Sequence, residues 1–472
     1  MMREGLAAEG IVPMFHRFFD EGLAQSSFFL ACPRTREAII IDPRRDVDVY
    51  VEMATSQGLR IVYTFETHVH ADFACGSHEL AAVGAKTIAG PGAHLRYPSH
   101  EAAHGERLRV GDISIEFMHT PGHTPEHISI LVNQPDQPTR IFSGDTLFVG
   151  AVGRPDLLGE EQTRRLAEEL YDSLFNKLLV LDERIQVHPG HGAGSLCGAG
   201  IGSEAFTTIG QEKRFNPMLQ HKTKEAFVAA VLADLPDTPP YFPQMKKLNQ
   251  AGPPLLGLVN GYRGPAALSP AATATAIRNG AIMIDLRPAA AFAASHPLGA
   301  LNLAIGTKVG YWAGYVLPAD ANVVLLGANQ HEATEAARQL MRIGVSRIEG
   351  HVNGGFDAWR DAGLPTGSIP LSNVQELAAA VGSGTAPLIV DVRTGKEFGA
   401  GHIEGAMHIP LGDLARRASE IPRDRPVATI CEAGYRSSLA ASVLARAGLD
   451  SLISVTGGMS AWRALVPASS SR

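Results

Sequence analysis

RIVYTFETHVHADF, residues 60–73, sets an apolar run directly before two histidines and an aspartate. On extended backbone, residues two apart share a face, so His68, His70 and Asp72 present their side chains to one side and can converge on one point. The same residue types recur at the ends of later strand-like runs: His119 and His123 in HTPGHTPEH, Asp145 in FSGDTLF, His188 and His191 in VHPGHG. A single strand histidine is ordinarily a satisfied structural residue. This many imidazoles and carboxylates, held by Pro-Gly turns, describe a metal site. The runs AIIID (38–42), ISIEFMHT (113–120), HISILV (127–132) and RIFSGD (140–145), followed by the helix-like EEQTRRLAEELYDSLFNKLL (160–179), predict two sheets with covering helices.

At 472 residues the chain is too long for one core and predicts about three domains. Lys and Arg number 41 against 48 Asp and Glu, and charged residues make up 19%, which excludes a basic nucleic-acid binder and a disordered acidic chain. Four cysteines, far apart, cannot form a disulfide framework and suit a reducing compartment. The opening MMREGLAAEGIVPMFHRFFDEG lacks the apolar core of a signal peptide, and no apolar run reaches the roughly 18 residues of a membrane span. The expectation is a cytoplasmic enzyme with neither a membrane nor a nucleic acid as partner.

The second half contains an internal repeat. MIDLRPAAAFAASHPLGALNLAI (283–305) matches VDVRTGKEFGAGHIEGAMHIPL (390–411), aligning Asp285 with Asp391 and His296 with His402, and GGFDAW (354–359) matches GGMSAW (457–462). Each copy alternates short apolar strands with helices, which predicts parallel α/β sheets. The Pro-rich LPDTPPYFPQMKKLNQAGPPLLG (235–257) reads as an extended linker and GLPTGSIP (363–370) as a shorter break. Expected domains are therefore 1–247, 248–367 and 368–472.

In the second copy, VATICEAGYRSSLAASVLARAG (427–448) ends a strand at Cys431 and opens a helix near Arg436 and Ser437. The loop of Glu432, Ala433, Gly434 and Tyr435 between them would cradle an anion with backbone N–H groups at a helix N-terminus. A thiolate or persulfide on Cys431 is activated by that cradle. In the first copy Gly327 stands opposite Cys431 and Glu332 opposite Arg436, so the nucleophile is missing and the cationic position is anionic. That copy is expected to act as a spacer or an oligomer interface.

The first half resembles the metallo-β-lactamase superfamily through its H-x-H-x-D signature and the distant His, Asp and His. The resemblance implies an αββα fold. Phe73 stands where the signature's last histidine would serve a second metal, so the expected centre is mononuclear. Within the superfamily, ETHVHADFACGS, GDTLF, VGRPDL and VHPGHGAGSLCG look like the persulfide dioxygenases. That resemblance implies one Fe(II) per chain on His68, His123 and Asp145, with zinc as the alternative. Three cis positions would then stay open for a persulfide sulfur and O2.

His70, Asp72 and His191 are carried over as neighbours or further ligands, with Asp72 orienting His68 or His70. Arg154 either meets a carboxylate of a tripeptide thiol or pairs internally with Asp156. Cys197 is either a small buried hydrophobe or a sulfur carrier. The pattern C-x-x-G-x-R, with DVR, GHIEGA and GGMSAW, resembles the rhodaneses over 371–466.

Together these imply a persulfide dioxygenase fused to a sulfurtransferase. The expected substrates are glutathione or coenzyme A persulfide, O2, sulfite and thiosulfate, and the expected assembly is a homodimer or homotetramer. The alternatives are a zinc thioester hydrolase of the glyoxalase II kind, and a sulfur-carrier scaffold with a vestigial metal site.

Overall fold

The computed structural model describes residues 15–466; most of the N-terminal stretch considered above as a possible leader lies outside them. The chain forms two compact units, one ending at Tyr262 and the other beginning at Arg263.

In the first unit, β1 (Phe15–Asp20), β2 (Gln25–Cys32), β3 (Glu37–Ile41), β4 (Arg60–Phe65), β5 (Lys86–Ala89) and β6 (Ser99–Glu101) make one sheet in sequence order. A second sheet holds β7 (Arg107–Val110), β8 (Ile113–His119), β9 (Ile128–Asn133), β10 (Arg140–Gly144), β11 (Gln186–Pro189) and β12 (Thr207–Thr208), again neighbour to neighbour. The facing sides supply Phe28, Leu30, Ile39, Ile41 and Phe65 from the first sheet and Ile115, Phe117, Ile128, Ile130 and Phe142 from the second. This is the buried alternation that the period-two patterns predict. The helices Glu160–Ser173 and Lys224–Ala233 pack Leu170, Phe227 and Val228 with Ile141 and Val187 of the second sheet, and the helix Asp48–Ser56 lies against β4 of the first, completing an αββα sandwich.

Strand direction places the site. β3 and β4 run parallel, as do β10 and β11, and β8 is antiparallel to β9, which is antiparallel to β10. The C-terminal ends of β3 and β4 therefore share one edge of their sheet, and those of β8, β10 and β11 one edge of theirs. Asp42, His68, His123, Asp145 and His191 all follow these ends.

The expected linker is a correction. Residues 242–251 form a helix, Phe242–Ala251, whose Phe242, Met245 and Asn249 are buried, so the first unit continues past residue 247. Pro243 sits in the first turn, where its missing N–H costs nothing.

The second unit contains two five-stranded sheets whose strands pair in parallel. Their strand orders are equivalent: Ala267–Leu268, Arg347–Val352, Asn322–Leu326, Ile282–Asp285, Leu301–Asn302 in one, and Leu371–Asn373, Leu452–Thr456, Val427–Ile430, Leu388–Asp391, Met407–His408 in the other. The duplication reaches side-chain detail. Asp285 pairs with Arg287 at 2.6 Å and Asp391 with Arg393 at 2.7 Å. His296 stacks on Phe292 and His402 on Phe398, each with ring centroids 3.8 Å apart.

Candidate metal centre and sulfur-transfer loop

Ligand atoms of His68, His123 and Asp145 lie within 4.8 Å of one another, all buried. Asp145 Oδ2 is 3.8 Å from His68 Nε2 and 3.5 Å from His123 Nε2. His68 Nε2 and Asp145 Oδ2 are buried without a hydrogen-bond partner. Buried polar atoms left unpaired cost about 1–3 kcal/mol each, and two aimed at one point fit a cation. The donor set of two imidazoles and a carboxylate suits iron or zinc.

Each of the two imidazoles is fixed from behind. Thr67 Oγ1 lies 3.0 Å from His68 Nδ1 and donates to Asp42 Oδ2 at 2.9 Å, while Asp42 Oδ1 accepts the Thr67 N–H at 2.7 Å. His123 Nδ1 donates to the Arg154 carbonyl at 2.8 Å. These bonds leave both Nε2 lone pairs facing Asp145. Burial holds His68 and His123 below the ordinary imidazole value, so both imidazoles are neutral at pH 7. His127 Nε2 accepts the Asp145 N–H at 3.0 Å. Burial acts to raise Asp145, but the charge of His191 and its hydrogen bond outweigh it and hold the carboxyl well below its usual range. Gly153, in VGRPD, is required because a Cβ there would run into the Asp145 carbonyl.

The structure separates the remaining histidines. His191 places Nδ1 at 2.8 Å from Asp145 Oδ1 and Nε2 at 2.7 Å from Asp72 Oδ2. Asp72 therefore pairs with His191, not with His68 or His70 as expected; Thr67 and Asp42 orient His68 instead. His70 turns Nε2 to Asp42 and Glu66, and Phe73, fully buried, packs its ring 4.3 Å from that of His70. His119 bonds the Pro125 carbonyl, and His188 sits among Phe15, Phe28 and Phe142; both are structural. Cys197 is buried beside Asp72 and His191, and burial pushes its thiol up to about 12.

Arg154 takes the internal one of its two expected roles. Its guanidinium donates to Asp156 through Nε and Nη2, each at 2.7 Å, to the Leu196 carbonyl at 3.0 Å and to Thr238 Oγ1 at 2.7 Å, and the side chain is 1% exposed. That is the internal ion pair, not the carboxylate clamp.

Asp42, Thr67, His127 and Asn249 were not assigned from sequence. Asp42 ends a strand-like run, which is the available signal. Asn249 carries none, although it donates to the carbonyls of His70 (2.8 Å) and Phe73 (2.7 Å) and accepts the Cys75 N–H (2.9 Å). Asn249→Ala leaves three buried backbone groups unpaired and is expected to destabilise the first unit by about 3 kcal/mol. Trp312, Trp359 and Trp462 all lie in the second unit. Urea unfolding followed by far-UV circular dichroism should therefore shift while the tryptophan-fluorescence transition stays put; coincident, unshifted curves would refute this.

In the second unit, the strand Val427–Ile430 delivers Cys431 to the start of the helix Tyr435–Arg446. Gly434, at φ 106°, donates its N–H to Cys431 Sγ at 3.1 Å, and Ser437 Oγ lies 3.2 Å from the sulfur. A Cβ on Gly458 would strike the Cys431 carbonyl, which explains the GG of GGMSAW. Glu432 turns away to Ser460, Arg463 and Arg393, and Tyr435 donates to the Ala304 carbonyl at 2.9 Å. Arg436 forms a two-pronged pair with Glu397 at 2.8 and 2.6 Å and lies 5.3 Å from the Trp312 ring centroid. Burial opposes ionisation of Glu397, but Arg436 and the Thr394 N–H hold it at about 2.

The first copy fills the corresponding space with its own anion. Glu332 Oε2 accepts the Ala328 N–H at 2.8 Å, and a Cβ on Gly327 would lie 3.2 Å from that oxygen.

Residues 21–191 match the model of the metallo-beta-lactamase superfamily, and residues 269–362 and 373–465 each match the rhodanese-like domain. The chain is 26% identical to persulfide dioxygenase ETHE1, mitochondrial, of Mus musculus over 46% of this chain and 81% of that one. It is 30% identical to a hydroxyacylglutathione hydrolase of a Polaromonas species over 45% and 88%. The match to an uncharacterized protein of Mycobacterium bovis, at 40% identity, spans only 45% of that relative's length. A solved metallo-beta-lactamase from Staphylococcus aureus superposes with a TM-score of 0.63 at 33% identity, covering 71% of this chain and 98% of that one. Among the described residues no helix is long and apolar enough to cross a membrane. The chain belongs to the metallo-β-lactamase superfamily and carries a tandem pair of rhodanese-like domains behind that fold.

Proposed function

We propose that the first unit is an iron-dependent persulfide dioxygenase and that the Cys431 domain is a sulfurtransferase acting on the same sulfur compounds. The observation that carries this reading is the three-ligand set of His68, His123 and Asp145, with Phe73 where a further metal ligand would stand. Bound ferrous iron would supply a site at which a persulfide sulfur and O2 meet, the net change being R–S–SH + O2 + H2O → R–SH + HSO3⁻ + H⁺.

The chain's own residues do the rest. Thr67, Asp42 and the Arg154 carbonyl keep the imidazoles aimed. His191 bridges Asp72 to Asp145 and leaves Asp145 Oδ2 for the metal. Cys197 walls the site as a neutral thiol. A cavity of about 250 Å3 beside Gly153 and Arg154, walled by Val152, Met218, Val231 and Leu235, would take the carbon chain of the carrier thiol. At Cys431, the Gly434 N–H stabilises a sulfur anion, and HSO3⁻ + R–S–SH → S2O3²⁻ + R–SH + H⁺ closes the sulfur balance. The same reading places a homo-oligomer in the reducing cytoplasm, where four free thiols persist.

The competing reading is a zinc thioester hydrolase, favoured by the Polaromonas relative. The protein purified without oxygen and loaded with Fe(II) should take up one O2 per glutathione or coenzyme A persulfide. It should hydrolyse S-lactoylglutathione at least about 100-fold more slowly, a difference of roughly 2.7 kcal/mol in barrier. Zinc-dependent hydrolysis without persulfide-dependent O2 uptake would transfer the assignment.

A further inference from the structure

We propose that Glu66 is a positioning residue: with Asp42 it holds His70 out of the metal's coordination sphere and so sets the number of imidazoles at the centre. The inference rests on the assignment of His68, His123 and Asp145 as ligands.

His70 is the residue whose place in the sequence most favours coordination. It lies two positions after His68, and the two rings are 4.2 Å apart between centroids. Yet its Nε2 lies 3.2 Å from Asp42 Oδ1 and 3.2 Å from Glu66 Oε2, and these three residues form a cluster of their own, separate from the His68, His123 and Asp145 group. All three are more than nine-tenths buried.

The two carboxylates are not equivalent. Asp42 accepts the His70 Nε2–H together with the Thr67 N–H and hydroxyl, and serves His68 whatever His70 does. Glu66 has one oxygen on the Ser77 hydroxyl, while Oε2 is buried with no hydrogen-bond partner and faces His70. A buried carboxylate oxygen left in that state is costly unless a charged or N–H-bearing group opposes it, and His70 is the group that does. His70 Nδ1 is likewise buried and unpartnered, so the ring is retained chiefly from its Nε2 side.

The consequence is chemical. Two imidazoles and one carboxylate leave three positions of an octahedron open, enough for a persulfide sulfur and O2 together. A third imidazole would make four protein ligands and leave two open positions, with none to spare beside those two groups. On this argument Glu66, at the end of β4, sets how many positions stay open without touching the metal.

Cobalt(II) loaded into the full chain, with imidazoles counted by X-ray absorption, tests this. Two imidazoles are expected in the wild type and three in Glu66→Ala. Glu66→Gln, which keeps a polar oxygen facing Nε2, should return to two, as should Glu66→Ala combined with His70→Ala. Glu66→Leu, which fills the volume without an acceptor, replaces the alanine variant if that one does not fold, judged by circular dichroism and melting temperature. Three imidazoles in the wild type, or two in folded Glu66→Ala and Glu66→Leu, would overturn the inference. Failure of the underlying assignment looks different: cobalt would stay bound in His68→Ala and Asp145→Ala.

Discussion

Asp145→Ala is expected to empty the metal site and abolish persulfide-dependent O2 uptake while sulfur transfer continues unchanged. The carboxylate is the only anionic member of the three-ligand set, and its Oδ2 is the atom nearest both imidazole Nε2 groups. Without it a divalent ion would face two neutral rings in a buried pocket, with no charge compensation in a medium of low dielectric. Loss of groups that merely orient ligands costs metal affinity about 10- to 100-fold, so loss of a ligand carrying the charge should cost at least about 100-fold. The variant also frees His191 Nδ1 from its 2.8 Å partner, leaving that imidazole on Asp72 alone. Asp145→Asn separates these effects, since an amide oxygen can still accept from His191 but brings no charge. Metal content by elemental analysis and O2 uptake should fall in both variants, with thiosulfate:cyanide transfer as the internal control for folding of the second unit. One metal per chain retained in Asp145→Ala would exclude Asp145 as a ligand.

What could be read from the sequence divides along a physical line. That His68, His123 and Asp145 come together was legible because each follows a strand, and strand ends at one edge of a sheet converge whatever lies between them in the chain. The duplication was legible because paired motifs, down to the Asp-Arg and Phe-His contacts, survive in both copies. The partners behind the ligands were not. Asp72 had three buried imidazoles within plausible reach, and only the packing decides for His191. Arg154 was balanced between a substrate and Asp156, because a motif gives the residue and not the direction of its five donors. Asn249 was hidden for a different reason. It closes the loop after His68 from a segment whose prolines advertise extended chain, and a hydrogen bond spanning that much sequence leaves no local pattern.

Cys431→Ser should lower thiosulfate:cyanide transfer by about 1,000-fold or more, because a serine hydroxyl at that loop is neither ionised at neutral pH nor a sulfur acceptor. No other thiol stands ready to replace it. Cys32, Cys75 and Cys197 are all buried in the first unit, and the first rhodanese-like copy offers Gly327 with the Glu332 carboxylate already on the Ala328 N–H. Substantial residual transfer would mean that Cys197 or another thiol carries sulfur, and the roles would have to be reassigned. The same variant tests whether the two chemistries share an intermediate. If oxidation releases sulfite and Cys431 persulfide converts it, the wild type should give mostly thiosulfate from persulfide and O2, and Cys431→Ser mostly sulfite at a similar rate of O2 uptake. Free persulfide reacts with sulfite unaided, so the ratio has to be taken early and at low substrate, where the uncatalysed second-order reaction is slow. A ratio equal in both proteins under those conditions would leave two activities that share a chain but not an intermediate. A wild type that consumes thiosulfate to support O2 uptake would instead set Cys431 upstream, feeding persulfide to the metal centre.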